Sequence, residues 1–193
     1  MLVRGADRSF LVVLVLLALC LADLAQDKKP TTLRCELRAS DHGGMWFSTD
    51  RPSHIHFLLF SNVDGLKVYQ DWNSWGYYSR SFVATDSRSK SFEITRREGE
   101  WTKNFPSADT LNRREFLITD IYLCDGTWRV SPRLPAGRRL MLQIRGRFKN
   151  EVSKDEINTS VWTGEIGSQP VEAFFEKECV QRLNAGQRGV GSR

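Results

Sequence analysis

The sequence predicts an all-β protein, built as a single antiparallel β-sandwich of about eight or nine strands. The first observation is that apolar and polar residues alternate along much of the chain. In "TLRCELRA", Leu33, Cys35 and Leu37 alternate with charged residues, which is typical of a strand with one face in water. The second is the spacing of polar turn residues, which recur about every 8 to 12 residues. The third is that no long segment keeps the three-to-four-residue apolar period of a helix.

Nine segments carry the strand pattern. In chain order they are TLRCELRA, HIHFLLF, LKVY, SFVATD, SFEITRR, EFLITDIYL, TWRV, RRLMLQIRGRF and QPVEAFFEK. "SRSK" separates the fourth segment from the fifth, which predicts a hairpin. "EFLITDIYL" is long and apolar, so we expect it to be a central strand. The exception to the β pattern is "SKDEI", where Ser153 could begin one helical turn as its N-cap.

The N-terminus predicts export. Arg4 and Arg8 precede an unbroken apolar run, Phe10 to Ala22, the pattern of a secretory signal peptide over residues 1–22. The run stops at Asp23, short of the roughly 20 apolar residues that a membrane-spanning helix needs. An uncleaved anchor is the alternative. With cleavage after Ala22, we expect a secreted or periplasmic protein that does not associate with the membrane.

The remaining chain divides into a linker at 23–31, a β-sandwich domain at 32–180 and a disordered basic tail at 181–193. The net charge is +5, and the tail carries Arg182, Arg188 and Arg193 without any acidic residue. The body is therefore close to neutral. Nucleic-acid binding needs basic charge gathered on a folded face, so we expect no nucleic-acid partner.

Three cysteines remain after signal cleavage, namely Cys35, Cys124 and Cys179. Export to an oxidising compartment predicts one disulfide among them. The sequence leaves all three pairings open. We expect the odd cysteine to be buried, because unpaired cysteine is among the most buried residue types.

The C-terminal third resembles a known architecture. "SPRLPAGRRLMLQIRGRF" and "SVWTGEIGSQPVEAFF" look like the closing hairpin of immunoglobulin-like sandwiches in exported bacterial proteins. The residues that carry the resemblance are Pro135, Gly137, Trp162, Gly164, Ser168, Pro170 and Val171. The resemblance implies an immunoglobulin-like sandwich and no particular activity, since such folds host many functions.

Two histidines raise the question of a metal site. His54 and His56 are two residues apart, so on a strand both side chains point to one face. Asp41 or His42 could supply a third ligand, and a catalytic zinc site needs three. A solvent-facing strand shows the same pattern without any ion. We therefore predict no metal and no cofactor.

Catalytic motifs are missing from the sequence. There is no Gly-x-Ser-x-Gly elbow and no Cys-x-x-Cys pair. In "CDGTW", Cys124 precedes an Asp-Gly pair that is typical of a tight turn. We predict that the protein is not an enzyme.

The strongest sign of function is "DWNSWGYYSRSF", residues 71–82, which we call the aromatic segment. Exposed, it would bind a ligand; packed inward, it would fill the protein's own core, and the sequence leaves both readings open. In the first reading Arg80, Arg96 and Arg97 are polar neighbours at the rim. The predicted ligand-binding residues are Trp72, Trp75, Tyr77, Tyr78 and Arg80.

The predicted function is that of an exported, non-catalytic binding or interaction module, whose partner is an unknown extracytoplasmic protein or a glycan. One alternative is carbohydrate binding, in which Trp72 and Trp75 stack on sugar rings. Another is inhibition of an extracellular protease by an exposed loop.

Overall fold

A computed structural model of the protein describes residues 32–40, 44–49, 54–99, 106–137, 139–151 and 160–185. These residues form twelve strands and two helices. The strands are β1 Leu33–Ala39, β2 Met45–Phe47, β3 Ile55–Ser61, β4 Leu66–Tyr69, β5 Arg80–Thr85, β6 Ser91–Arg96, β7 Ala108–Leu111, β8 Phe116–Ile121, β9 Trp128–Ser131, β10 Arg139–Asn150, β11 Gly164–Gly167 and β12 Val171–Glu176. The helices are α1 Ser74–Tyr77 and α2 Lys177–Ala185. The all-β prediction is confirmed.

The strands form three sheets. The order β1-β3-β8 makes a three-stranded antiparallel sheet, and β4 pairs with β7 in a two-stranded one. A seven-stranded sheet follows the order β2-β12-β10-β5-β6-β9, with β11 added to the end of β10. Its pairs are antiparallel except β2 with β12, which is parallel. The sheet is therefore mixed.

All nine predicted strand segments form strands, and β5 and β6 make the predicted hairpin. Sequence periodicity missed β2, β7 and β11, which have only three or four residues each. The expectation that "EFLITDIYL" is central was wrong. Its strand β8 lies at the edge of the three-stranded sheet, and Phe116 and Ile118 are about half exposed on its outer face.

The core lies between the three-stranded and seven-stranded sheets. Phe57 of β3 meets Phe82 of β5 edge to face, with ring centroids 6.0 Å apart. Gly146 of β10 pairs with Phe82 and allows this approach. A Cβ atom at Gly146 would lie 2.8 Å from both Leu37 and Phe57, closer than carbon atoms can pack. The two sheets therefore approach closely at Gly146, the position in the longest strand, β10, that has no side chain.

Helix α2 closes the fold at its C-terminal end. Cys179 forms a disulfide with Cys124, while Val180 and Leu183 are buried beside it. Asn184 accepts a hydrogen bond from the backbone of Leu134 (2.9 Å) and donates one back (3.1 Å). Residues 181–185 therefore belong to the folded body, which corrects the predicted start of the disordered tail at 181. The helical period at 179, 180 and 183 is too short to stand out in the sequence.

The odd cysteine, Cys35, is free and buried, as predicted. Burial raises the pKa of its thiol to about 12, so it stays protonated at neutral pH.

Several predictions fall outside the described residues: the signal peptide at 1–22, the linker at 23–31, the possible helical turn from Ser153 and the tail beyond 185. Neither helix among the described residues has the length and apolar character needed to cross a membrane.

The disulfide is expected to stabilise the folded protein strongly. It joins residues 55 positions apart, and loop-closure entropy for such a length gives about 4 kcal/mol. Urea denaturation of the wild type with and without reductant, and of the Cys124→Ser, Cys179→Ser double variant, measures the effect. Cys35→Ala is the control: because Cys35 is not part of the disulfide, reductant should still lower the urea midpoint of this variant. A double variant with the wild-type midpoint would contradict the prediction.

Candidate functional site

The aromatic segment turns through the single-turn helix α1, and a buried asparagine holds that turn in place. Asn73 is the N-cap, and its side-chain oxygen accepts a hydrogen bond of 2.9 Å from the Gly76 N–H. The same side chain donates to the backbone oxygen of Ser107 at 2.9 Å and to its hydroxyl at 3.0 Å. Asn73 is completely buried. It therefore caps the helix and ties the segment to the chain just before β7.

Gly76 sits where no other residue fits. A Cβ atom there would lie 2.1 Å from the carbonyl oxygen of Gln70 and 2.9 Å from that of Tyr69. Both are backbone atoms, so no side-chain rotation could relieve the clash. The glycine lets α1 pack directly on the end of β4.

Arg96 holds the segment from behind. Its guanidinium donates to the Asp71 carboxylate at 3.2 Å and to the Asp71 backbone oxygen at 3.1 Å. It also lies over the rings of Tyr77, at 4.6 Å, and Trp128, at 5.3 Å. Arg96, predicted as a rim residue, is thus mostly enclosed between the segment and the core. Arg97, also predicted at the rim, donates instead to the backbone oxygens of Trp128 and Arg182.

The prediction that Arg80 faces the ligand was wrong, because its side chain is buried. Strand β5 alternates, and Arg80 shares the inward face with Phe82 and Ala84. The guanidinium carbon lies 5.8 Å from the ring centre of Phe57 and 5.6 Å from that of Phe148.

Burial lowers the pKa of Arg80 to about 10, and the charge of Asp71 opposes that shift. Arg80 therefore remains a cation at neutral pH. It donates to the Ser79 hydroxyl at 3.3 Å, and that hydroxyl donates to the Gly76 carbonyl at 2.5 Å. Its Nε has no partner in the described part of the chain. Arg80 thus connects to the backbone of the aromatic segment through the Ser79 hydroxyl.

The other four predicted site residues differ in exposure. Trp72 is 65% exposed and Tyr78 is 49% exposed, while Trp75 and Tyr77 are half-buried. Trp75 lies beside Tyr69 with ring centroids 6.5 Å apart, and the Tyr78 hydroxyl accepts a hydrogen bond from the Gly99 N–H at 3.1 Å. Both interpretations of the segment therefore hold in part: Trp75 and Tyr77 pack partly against the protein, whereas Trp72 and Tyr78 face solvent.

A groove of about 320 Å³ runs beside the segment. Its lining includes Trp75 and Tyr78 of the segment, together with Lys149 at the end of β10 and Glu151 just after it. These two charges form an ion pair of 2.5 Å. The hydrogen bond to Glu151 raises the pKa of Lys149, so the lysine is charged at neutral pH. The groove thus combines flat apolar surfaces with hydrogen-bonding groups.

A larger depression of about 550 Å³ lies on the seven-stranded sheet, but it is a weaker candidate. None of the described residues that line it is aromatic. Its Arg147 is already paired with Glu165 at 2.6 Å and with Glu93 at 3.4 Å. Charged residues line both depressions and form ion pairs in both, so the difference is that aromatic residues, Trp75 and Tyr78, line the smaller groove.

Of the two histidines considered as metal ligands, His56 lies in β3 of the three-stranded sheet and His54 immediately precedes that strand. Asp41 and His42, the suggested third ligands, fall outside the described residues. The structure brings a different carboxylate, Asp120 of β8, beside His54 and His56. Nothing in the sequence indicated this third residue.

No protein-family model matches the chain, and neither the curated proteins nor the solved structures contain a detectable relative.

Gly76→Ala should destabilise the protein, because the added methyl group meets backbone that cannot move aside. Overpacking of this kind costs about 1–3 kcal/mol, which urea denaturation followed by tryptophan fluorescence would measure. Gly137→Ala is the matched control, since the nearest atom to its Cβ would be 3.9 Å away. Equal stability of the two variants would show that the turn is not tightly packed.

Arg80 offers a second test, which separates its charge from its packing. Arg80→Met keeps most of the volume and removes a buried cation, so the free energy of unfolding should not fall. Arg80→Ala leaves a cavity between two phenylalanine rings and should lower it by about 2–5 kcal/mol. Equal losses in both variants, measured by urea denaturation, would mean that the cation itself is required.

Proposed function

We propose that the protein is an exported, non-catalytic binding module whose ligand contacts the aromatic segment. The observation that carries this proposal is the exposure of Trp72 and Tyr78 on a backbone that buried hydrogen bonds hold in place. Aromatic side chains bury large areas and have few rotatable bonds. A surface that is ordered before binding also loses less conformational entropy when a ligand arrives.

The proposal includes an immunoglobulin-like sandwich and export by a signal peptide at residues 1–22. Support for the first is the packing of two sheets across Phe57, Phe82 and Gly146. Support for the second is the basic and apolar pattern of the N-terminus. The disulfide adds to it, because such bonds persist in oxidising compartments. The proposed location is secreted or periplasmic.

The groove favours a glycan as the ligand class. Flat aromatic faces match the apolar faces of pyranose rings, and two aromatic residues, Trp75 and Tyr78, line the groove. Lys149 and Glu151, which line it as well, have a donor and acceptors for sugar hydroxyl groups. Sugar-binding sites need both kinds of contact, since a pyranose ring has both kinds of surface.

An extracytoplasmic protein is the second candidate, because Trp and Tyr are enriched among residues that dominate protein interfaces. The prediction of protease inhibition belongs to this class. It requires that stoichiometric protein slow cleavage by a secreted protease, without turnover of the protein itself.

Binding should depend on the exposed aromatic residues. Titration of the purified protein with soluble chitin, glucan, mannan and galactan oligosaccharides, followed by tryptophan fluorescence and calorimetry, should identify at least one ligand. Tyr78→Ala should weaken binding of a ligand in the groove about tenfold or more, the effect of removing a central contact. Trp72→Ala tests whether the ligand also contacts the exposed tryptophan outside the groove lining. Phe116→Ala is the control, because Phe116 is similarly exposed on another sheet.

Unchanged fluorescence and heat across the panel would remove the glycan class. Normal ligand affinity in a Trp72→Ala, Tyr78→Ala double variant would contradict the proposed surface itself, whichever ligand is found.

A further inference from the structure

Two histidines and an aspartate meet on the outer face of the three-stranded sheet. His56 of β3 and Asp120 of β8 are direct partners in the antiparallel register. His54 precedes His56 by two residues, and Ile55 between them is buried in the core. Alternation therefore brings both imidazoles to the solvent side, next to the carboxylate.

The distances suit one small divalent ion. His56 Nδ1 lies 2.7 Å from one carboxylate oxygen of Asp120, and His54 Nε2 lies 3.9 Å from the other. One ligand atom from each of the three residues can be chosen so that all lie within 4.8 Å of one another. Zinc binds at about 2.0–2.2 Å from nitrogen and oxygen, which places tetrahedral ligand atoms roughly 3.3 Å apart. The two measured distances lie on either side of that value.

We propose that His54, His56 and Asp120 form a binding site for a divalent transition-metal ion, with zinc as the expected occupant. Neutral imidazole together with carboxylate is a ligand set that zinc accepts. The three side chains are only partly covered, with exposures of 25%, 32% and 48%, so an ion and its fourth ligand have access from solvent. This inference departs from our sequence-based expectation of no metal.

The neighbourhood limits the movement of the ligands. The ring of Tyr122 lies 5.1 Å from that of His54, and the two imidazole rings lie 4.9 Å apart, edge to face. Backbone pairing of β3 with β8 sets the separation of His56 from Asp120. The three ligand groups are therefore held near one another by strand register and ring contacts.

A cross-strand hydrogen bond between His56 and Asp120 is the simpler explanation for part of this arrangement. Such an exposed pair contributes little to stability and requires no second imidazole. The two explanations differ in the role of His54. In a metal site His54 is essential, whereas in a simple cross-strand pair its loss changes nothing.

Equilibrium dialysis of the purified protein, prepared without a polyhistidine tag, against zinc chloride tests the proposal. We expect one zinc ion per chain in the wild type. The His54→Ala, His56→Ala double variant should lose it, and His54→Ala or Asp120→Asn alone should weaken binding more than tenfold. His42→Ala and Glu172→Gln, the latter on the seven-stranded sheet, are matched controls that should bind as the wild type does.

Two further readouts make the outcome unambiguous. Zinc should raise the urea midpoint of the wild type but not that of the double variant, because an ion bound to the folded state stabilises that state. Cobalt(II) should give the visible spectrum of a four-coordinate ion. No stoichiometric zinc in the wild type, or equal zinc in the double variant, would overturn the proposal. Loss of binding in His42→Ala with retention in Asp120→Asn would also overturn it.

Discussion

The three-stranded and seven-stranded sheets can pack face to face only because they approach closely at one point. This approach is made possible by Gly146, because any side chain there would collide with Leu37 and Phe57. Phe82 then fills the space beside the glycine and extends the aromatic contacts to Trp128, at a centroid distance of 5.3 Å. A void or a larger residue at this point would separate two sheets that must exclude water together.

The aromatic segment is built outward from this core. β5 begins at Arg80, whose aliphatic stem and guanidinium lie among core rings, and the residues just before it form the exposed turn. Arg80, Ser79 and Gly76 form a short chain of hydrogen bonds, and Asn73 fixes the other side of the turn. The position of the exposed tryptophan and tyrosine therefore depends on buried polar groups, which have few alternative partners.

Much of the fold could be predicted from alternation alone, since a period of two identifies a strand wherever one face is buried. Strands of three or four residues are too short to show alternation of apolar and polar residues, so β2, β7 and β11 were not predicted. Arg80 was misplaced because arginine is almost always exposed unless paired. Asp120 could not be linked to His56 from sequence, because they lie 64 residues apart and meet only through strand register.

The aromatic cluster itself could be located from sequence, but its division into an inner and an outer side could not. That division follows from the one-turn helix, which directs neighbouring rings in different directions. Tyr77 lies beneath the guanidinium of Arg96, while the next residue, Tyr78, is half exposed. Residue type alone does not distinguish the two, because both are tyrosines in the same turn.

The bond between Cys124 and Cys179 also affects what a proteolytic cut does to the polypeptide. It encloses β9, β10, β11 and β12 in one covalent ring. A single proteolytic nick anywhere within that ring leaves both fragments covalently attached. In a protease-rich environment, such a molecule would survive a cut as one particle, and only a reducing gel would reveal two bands.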